Sequence, residues 1–279
     1  MSVGICTVPL LPIRIEPSER SEMNTQLLFG ELFEVLEEKD SWSRIRNITD
    51  NYLGWGTSKM MQKLPSDIFK ELVASKPFFT QAIITPCIRK DERTPQLFIP
   101  AGSRLYDLNK TSGFFPVFHS KTGISDVIEK DTWNIKQSIL DEALDSDLTS
   151  GNVVKFALRF LNAPYLWGGK SILGIDCSGL VQLVFSIFGF DLPRDARDQL
   201  LVGDPVPDLS LVQPADLAFF ANSEGMVVHV GILLDPNHII HASGNVHIDS
   251  IDNNGIFSEP LGRYTHSLYA IRRHPNVRV

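Results

Sequence analysis

Cys177, His229 and His241 are the residues of this chain whose types could together break an acyl bond. Cys177 stands in "GIDCSGLVQLVFSIFG" (174–189), between an aspartate and a serine. Leu180, Val181, Val184, Phe185 and Phe188 follow it at helical spacing, and Leu183 and Ile187 fill the other side, which predicts a buried helix. Asp176 or Ser178 can cap that helix, placing Cys177 in or near its first turn. Unpaired N–H groups and the positive end of the helix dipole then favour the thiolate, the form that attacks carbonyl carbon. Asp176 opposes this, because a neighbouring carboxylate disfavours a second negative charge. It must turn away or be taken up by a partner.

A nucleophilic thiol needs a base, and the base needs an orienting group. "MVVHVGILLDPNHIIHASG" (226–244) offers both. His229 alternates with Val228 and Val230 in a strand, and His241 follows a turn in the next strand. A lone strand histidine is usually a core residue; two on neighbouring strands, in a chain with a helix-start cysteine, fit base and orienter. His238 and His247 read as surface or turn residues. Upstream of the cysteine, "APYLWGG" (163–169) sets paired glycines after aromatics. The glycines permit close backbone approach, and Tyr165 and Trp167 offer a stacking wall with polar handles.

These residues must be held by a folded frame, and the composition permits one. The chain has 279 residues, 43% of them hydrophobic and 21% charged, which suits one large or two to three small globular domains. Lys plus Arg number 26 against 33 Asp plus Glu, a net charge of −7, and no basic block suggests a nucleic-acid partner. No stretch is apolar for long enough to span a bilayer. Three scattered cysteines, Cys6, Cys87 and Cys177, argue against a disulfide framework and fit a reducing compartment. With no secretory signal visible at the start, the expected location is cytoplasmic.

Along the chain, residues 5–61 alternate as short strands and turns, the texture of a small β-barrel module, and "LPSDIFKELVASKP" (64–77) adds a short helix. A second region of similar texture runs from Phe78 to about Lys136, including "FFPVFHS" with His119. From Ser138 onward helices come first, and strands return after Pro193, which predicts an α+β domain. The expected divisions are 1–70, 71–136 and 137–279.

On "APYLWGG", "DCSGLVQLVF", "LPRDARDQ", "DLAFFAN", "HVGILL" and "IIHAS", in that order, the C-terminal half resembles the NlpC/P60 family of papain-like cysteine peptidases. The front of the chain, "SEMNTQLLFGELFEVLEEKDSWSRIRN" followed by "YLGWG", resembles a bacterial SH3-type module, and the middle a second, divergent one. The resemblance implies an α+β fold overall: two SH3-like barrels and then a permuted papain-like core. It implies Cys177 as nucleophile, His229 as general base and His241 as its orienting residue, with no metal or organic cofactor.

The substrate class it implies is a cell-wall stem peptide, L-Ala-γ-D-Glu-diamino acid, cut after γ-D-glutamate during recycling when L-Ala has a free amine. Asp176 and Ser178 match residues contacting the peptide around γ-D-Glu, and Tyr165 and Trp167 match the aromatic wall of the cleft. Asp195 matches an acidic residue that neutralises the amine. Tyr52 matches a first-module tyrosine that reaches the cleft, and Glu22 is a candidate to share the amine. Ala196 departs from the pattern, which commonly has serine there. Three alternatives stand beside this reading: a catalytically silent peptide-binding module, a thiol acyltransferase or amidase with the same triad, and a zinc site built from Cys177, His229 and His241.

Overall fold

A computed structural model describes residues 2–87, 97–106 and 148–278. The chain divides into two compact units, Met1–Ala143 and Leu144–Val279.

The first unit is an antiparallel sheet of β1 (Ser2–Cys6), β2 (Leu10–Arg14), β3 (Met23–Leu28), β4 (Leu32–Lys39), β5 (Trp42–Asn47), β6 (Leu53–Thr57) and β7 (Met61–Leu64), in the order β3-β2-β6-β5-β4-β1-β7. Strand alternation sends the side chains of β1 to two cores. Val3 and Ile5 meet Leu32, Leu64 and Leu72, the last from the predicted short helix α1 (Ser66–Ala74). Cys6 joins Leu11, Ile13, Leu27, Phe33, Val35 and Ile45. A Cβ at Gly4 would strike the Phe33 ring, so this glycine lets that ring lie across the strand.

Two short pairs follow: β8 (Phe78–Phe79) with β11 (Arg104–Leu105), and β9 (Ile84–Cys87) with β10 (Leu97–Pro100). Cys6 and Cys87 are both buried and outside any disulfide, and burial pushes the Cys87 thiol up to about 12. Most of the expected second module, including "FFPVFHS", and the helix expected from Ser138 fall outside the described residues.

The second unit opens with helix α2 (Ser150–Ala157), capped by the Thr149 hydroxyl, which accepts from the Asn152 N–H. A small pair, β12 (Lys170–Ser171) and β13 (Gly174–Ile175), leads into helix α3 (Cys177–Ser186), all of whose residues from Cys177 to Phe185 are buried. After the short helix α4 (Ala196–Gln199) comes the main sheet: β14 (Asp204–Val206), β15 (Leu217–Ala221), β16 (Val227–Asp235), β17 (His238–Ser243), β18 (Asn245–Asp252), β19 (Gly255–Ser258) and β20 (Arg263–Arg273). β15 to β20 pair in succession, all antiparallel, and β20 also pairs with β15, so six strands close into a ring with β14 added on β20. Ala218, Phe220, Leu233, Ile239, Ile251, Ile256 and Ile271 fill one core of this ring. Helix α3 packs against β16 and β17, which carry the two histidines.

Candidate active site

Asp176 is the N-cap of α3, and its Oδ1 accepts the Gly179 N–H at 2.7 Å. Cys177 is therefore the first residue of the helix, as the sequence pattern predicts. Three glycines make this approach possible. Gly168 has φ +76° and donates its N–H to Asp176 Oδ2 at 2.8 Å. A Cβ at Gly179 would strike the Gly169 carbonyl, and one at Gly169 would strike the Gly174 backbone.

The partner that Asp176 requires is Arg194. Its Nη1 and Nη2 reach the two carboxylate oxygens at 3.0 and 2.5 Å, and Nη1 also donates to Ser178 Oγ at 2.8 Å. The guanidinium is almost fully buried, so the pair is bidentate and dry. Asp176 and Ser178 thus use the protein's own partners, and both side chains lie beside the nucleophile.

Cys177 is buried, and its sulfur accepts the backbone N–H groups of Val230 and Ser178. The bond from Val230 ties the thiol to the strand residue next to His229. The expected thiolate is not the resting state. Burial, and then the Asp176 charge, push the thiol up to about 11, against the smaller opposing pull of the two N–H groups and Arg194. His229 is held well below its ordinary value by burial and then by the neighbouring imidazoles of His241, His266 and His247. The resting pair is a thiol and a neutral imidazole.

His229 Nε2 lies 2.9 Å from His241 Nδ1, which leaves His229 Nδ1 as the nitrogen that can receive the thiol proton. His241 reaches over β16 because residue 231 is glycine: a Cβ there would come within 2.9 Å of His241 Cβ. The His229 ring is stacked on His266 of β20, with centroids 4.1 Å apart, and lies 5.7 Å from the Phe220 ring. His241 Nε2 faces Asp249 Oδ2 at 3.3 Å, and His247 Nε2 faces the same oxygen at 3.1 Å.

His247 therefore belongs to this group, not to the surface as its sequence context suggests, while His238 is exposed and bonded to Asp235. Asp249, His266 and Arg194 carry no sequence signal beyond the alternation of β18 and the register that pairs His241 with His247. Among the described residues, the ligand-type atoms gathered within 4.8 Å are those of His241, His247 and Asp249, not the set of the zinc alternative. The hydrogen bonds above use the same groups.

Tyr165 stands close enough to feel the charges of Cys177 and Asp176; burial first, and then these two, push its phenol up to about 12. It remains a hydroxyl donor. Trp167 is exposed. Asp195 precedes α4 without capping it by its side chain, and is paired at 3.3 Å with the exposed Arg197. Ala196 is buried at the start of that helix. Tyr52 is half-buried and Glu22 exposed, both in the first unit.

Cys177, His229, His241 and Asp249 all lie within a segment that matches a known family. Residues 162–263 match the model of the NlpC/P60 family. The chain carries an NlpC/P60 domain. Residues 13–57 match the bacterial dipeptidyl-peptidase SH3 domain. Their extent covers β3 to β6, so the first unit is SH3-like with β1 and β7 added at one side of the sheet.

Among relatives, the chain is 28% identical over 230 residues to the gamma-D-glutamyl-L-lysine dipeptidyl-peptidase of Bacillus subtilis, covering 79% of this chain and 72% of that protein. It is 27% identical over 250 residues to dipeptidyl-peptidase 6 of Lysinibacillus sphaericus, covering 85% and 87%. A crystal structure of an NlpC/P60 family protein from Bacillus cereus superposes with a TM-score of 0.77 at 19% identity, covering 98% and 99% of the two chains. That likeness establishes the fold.

Proposed function

We propose that this chain is a cysteine peptidase that hydrolyses the bond after γ-D-glutamate in cell-wall stem peptides, releasing L-Ala-γ-D-Glu from peptides with a free N-terminal amine. The observation that carries the chemistry is the Cys177 thiol bonded by the Val230 N–H, next to a neutral His229 whose Nε2 is already engaged by His241. The substrate class rests on the two relatives, whose names are those of dipeptidyl-peptidases.

The first half of the reaction follows from a resting thiol and neutral imidazole. His229 Nδ1 takes the proton from Cys177 as the sulfur attacks the γ-carbonyl carbon, so no standing ion pair is required. The carbonyl oxygen becomes an oxyanion, for which the N–H groups at the start of α3 and the Tyr165 hydroxyl are the nearby donors. Collapse breaks the C–N bond. The leaving amine takes the proton from His229, and a thioester remains on Cys177. In the second half, water gives a proton to His229 and attacks the thioester. The acyl group leaves as a carboxylic acid and the thiol regains its proton.

Asp195 suits a terminal ammonium. Its present partner, Arg197, is largely solvated, and an exposed pair of this kind is worth only about 0–1 kcal/mol. An ammonium entering the site can therefore displace the arginine at little cost. A peptide with a free amine is itself a product of earlier wall breakdown, which supports a role in recycling. Three buried cysteines, none of them in a disulfide, support a reducing compartment such as the cytoplasm. No helix among the described residues is long and apolar enough to cross a membrane.

The test is hydrolysis of L-Ala-γ-D-Glu-meso-diaminopimelate, with its amine free or acetylated, followed by mass spectrometry. Cleavage of the free peptide alone, lost in Cys177→Ala with the thermal transition retained, is the expected result. Equal cleavage of both peptides overturns the free-amine requirement. Turnover by Cys177→Ala overturns the thiol mechanism.

A further inference from the structure

We infer that Asp249, outside the Cys177–His229–His241 set, is the positioning residue that fixes the tautomers of both histidines and so places the basic lone pair of His229 on Nδ1. The inference rests on the reading of His229 as the base.

The assignment follows from counting donors and acceptors along one chain of ring nitrogens. His241 Nε2 faces a carboxylate oxygen of Asp249. An ionised carboxylate only accepts, so that nitrogen carries the proton and donates. A neutral His241 then has its lone pair on Nδ1, and Nδ1 faces His229 Nε2. His229 Nε2 must therefore carry a proton and donate, which leaves the lone pair of His229 on Nδ1. Without Asp249 the two-histidine unit could reverse: His241 Nδ1–H donating to His229 Nε2 is an equally good bond, and it leaves His229 Nδ1 protonated and unable to take a proton.

His247 completes the arrangement. Its Nδ1 lies 2.9 Å from the Asn245 carbonyl oxygen and its Nε2 lies 3.1 Å from Asp249 Oδ2. His247 is thus a second partner of the carboxylate that holds His241. Its side chain is 31% exposed and lines a groove with His238, Ser258 and Glu259. Burial pushes Asp249, only 10% exposed, upward, but its hydrogen bonds and charge contacts with His241 and His247 outweigh this and hold the carboxyl below its ordinary value, so it stays ionised. When His229 accepts a proton at Nδ1, the new positive charge faces His241, whose opposite nitrogen donates to the carboxylate.

Strand register produces this geometry. His241 pairs directly with His247 across β17 and β18, and Asp249 lies opposite Ile239, so the carboxylate is the diagonal neighbour of His241 on one face of the sheet.

The decisive experiment is 15N NMR of histidine-labelled full-length protein near pH 7.5 without substrate, which reads each ring's tautomer whether or not any peptide is cleaved. The expected result is Nε2–H for both His229 and His241. In Asp249→Ala the two buried rings are expected to become a tautomer mixture. With the free-amine peptide, kcat is expected to fall by roughly 10²-fold, at the low end of what general acid–base catalysis contributes, with KM within about twofold. Asp249→Asn, whose amide oxygen can still accept, is expected to recover part of kcat. A wild-type His229 with Nδ1–H overturns the inference, as do unchanged tautomers in Asp249→Ala. Absence of turnover in the wild type, with the expected tautomers present, counts against the proposed substrate and leaves the Asp249 assignment standing.

Discussion

Asp176 fastens the start of α3 and at the same time opposes ionisation of the thiol that begins it. Arg194 reconciles the two roles, since its guanidinium meets both carboxylate oxygens in a dry position. Breaking a buried pair by removing one partner costs about 3–5 kcal/mol, because the other charge stays behind. Arg194→Met is expected to destabilise the second unit by that order in a urea titration, and Arg194→Met with Asp176→Asn to recover most of it, because asparagine still caps. At this scale the chemistry-bearing residues were the legible ones. Cys177 announces itself by its place before an apolar helical run, and His229 and His241 by alternation on either side of a turn. Arg194 was not legible, since nothing in "LPRDARDQ" says which arginine turns inward. The protonation state was not legible either, because burial of the thiol depends on the strands packed over it.

The β16–β17 hairpin is the element that makes two histidines into one device. The short turn after Asp235 sets the register, Ile232 opposite Ile240 and Leu233 opposite Ile239, and Gly231 leaves room for the second ring. Replacing that glycine with alanine puts a methyl group against Ile239 Cδ1 at 2.7 Å and His241 Cβ at 2.9 Å. Overpacking of this kind typically costs about 1–3 kcal/mol. Gly231→Ala is expected to show that loss in a thermal melt, and a fall in kcat larger than any change in KM, because the displaced ring is the one that holds the base. The hairpin could be predicted from its alternating pattern. The role of β18 could not: His247 and Asp249 matter because of cross-strand pairing, and a single strand's sequence does not state which neighbour it will face.

Across the whole molecule the histidines are unevenly distributed: all but His119 lie in the second unit. His229, His241, His266 and His274 are all held below their ordinary value, chiefly by burial, with His266 at about 4. Between 6.5 and these lower values the unfolded chain binds more protons than the folded one, so stability falls as pH falls through that window. Hydrogen-exchange protection factors measured at pH 7 and pH 5 are expected to drop in residues 148–278 and to change less in residues 2–87. The closed ring behind this behaviour was legible only as a series of strands, because the pairing of β19 and β20 that seals it joins pieces with no distinctive pattern. That seal also sets an order of events during synthesis. The strand that closes the ring, and that stacks His266 on the base, follows every other strand of that ring in the chain. The nucleophile leaves the ribosome long before it, so the thiol and its base wait for β20, and a nascent peptidase stays inert beside its neighbours until that strand has been made.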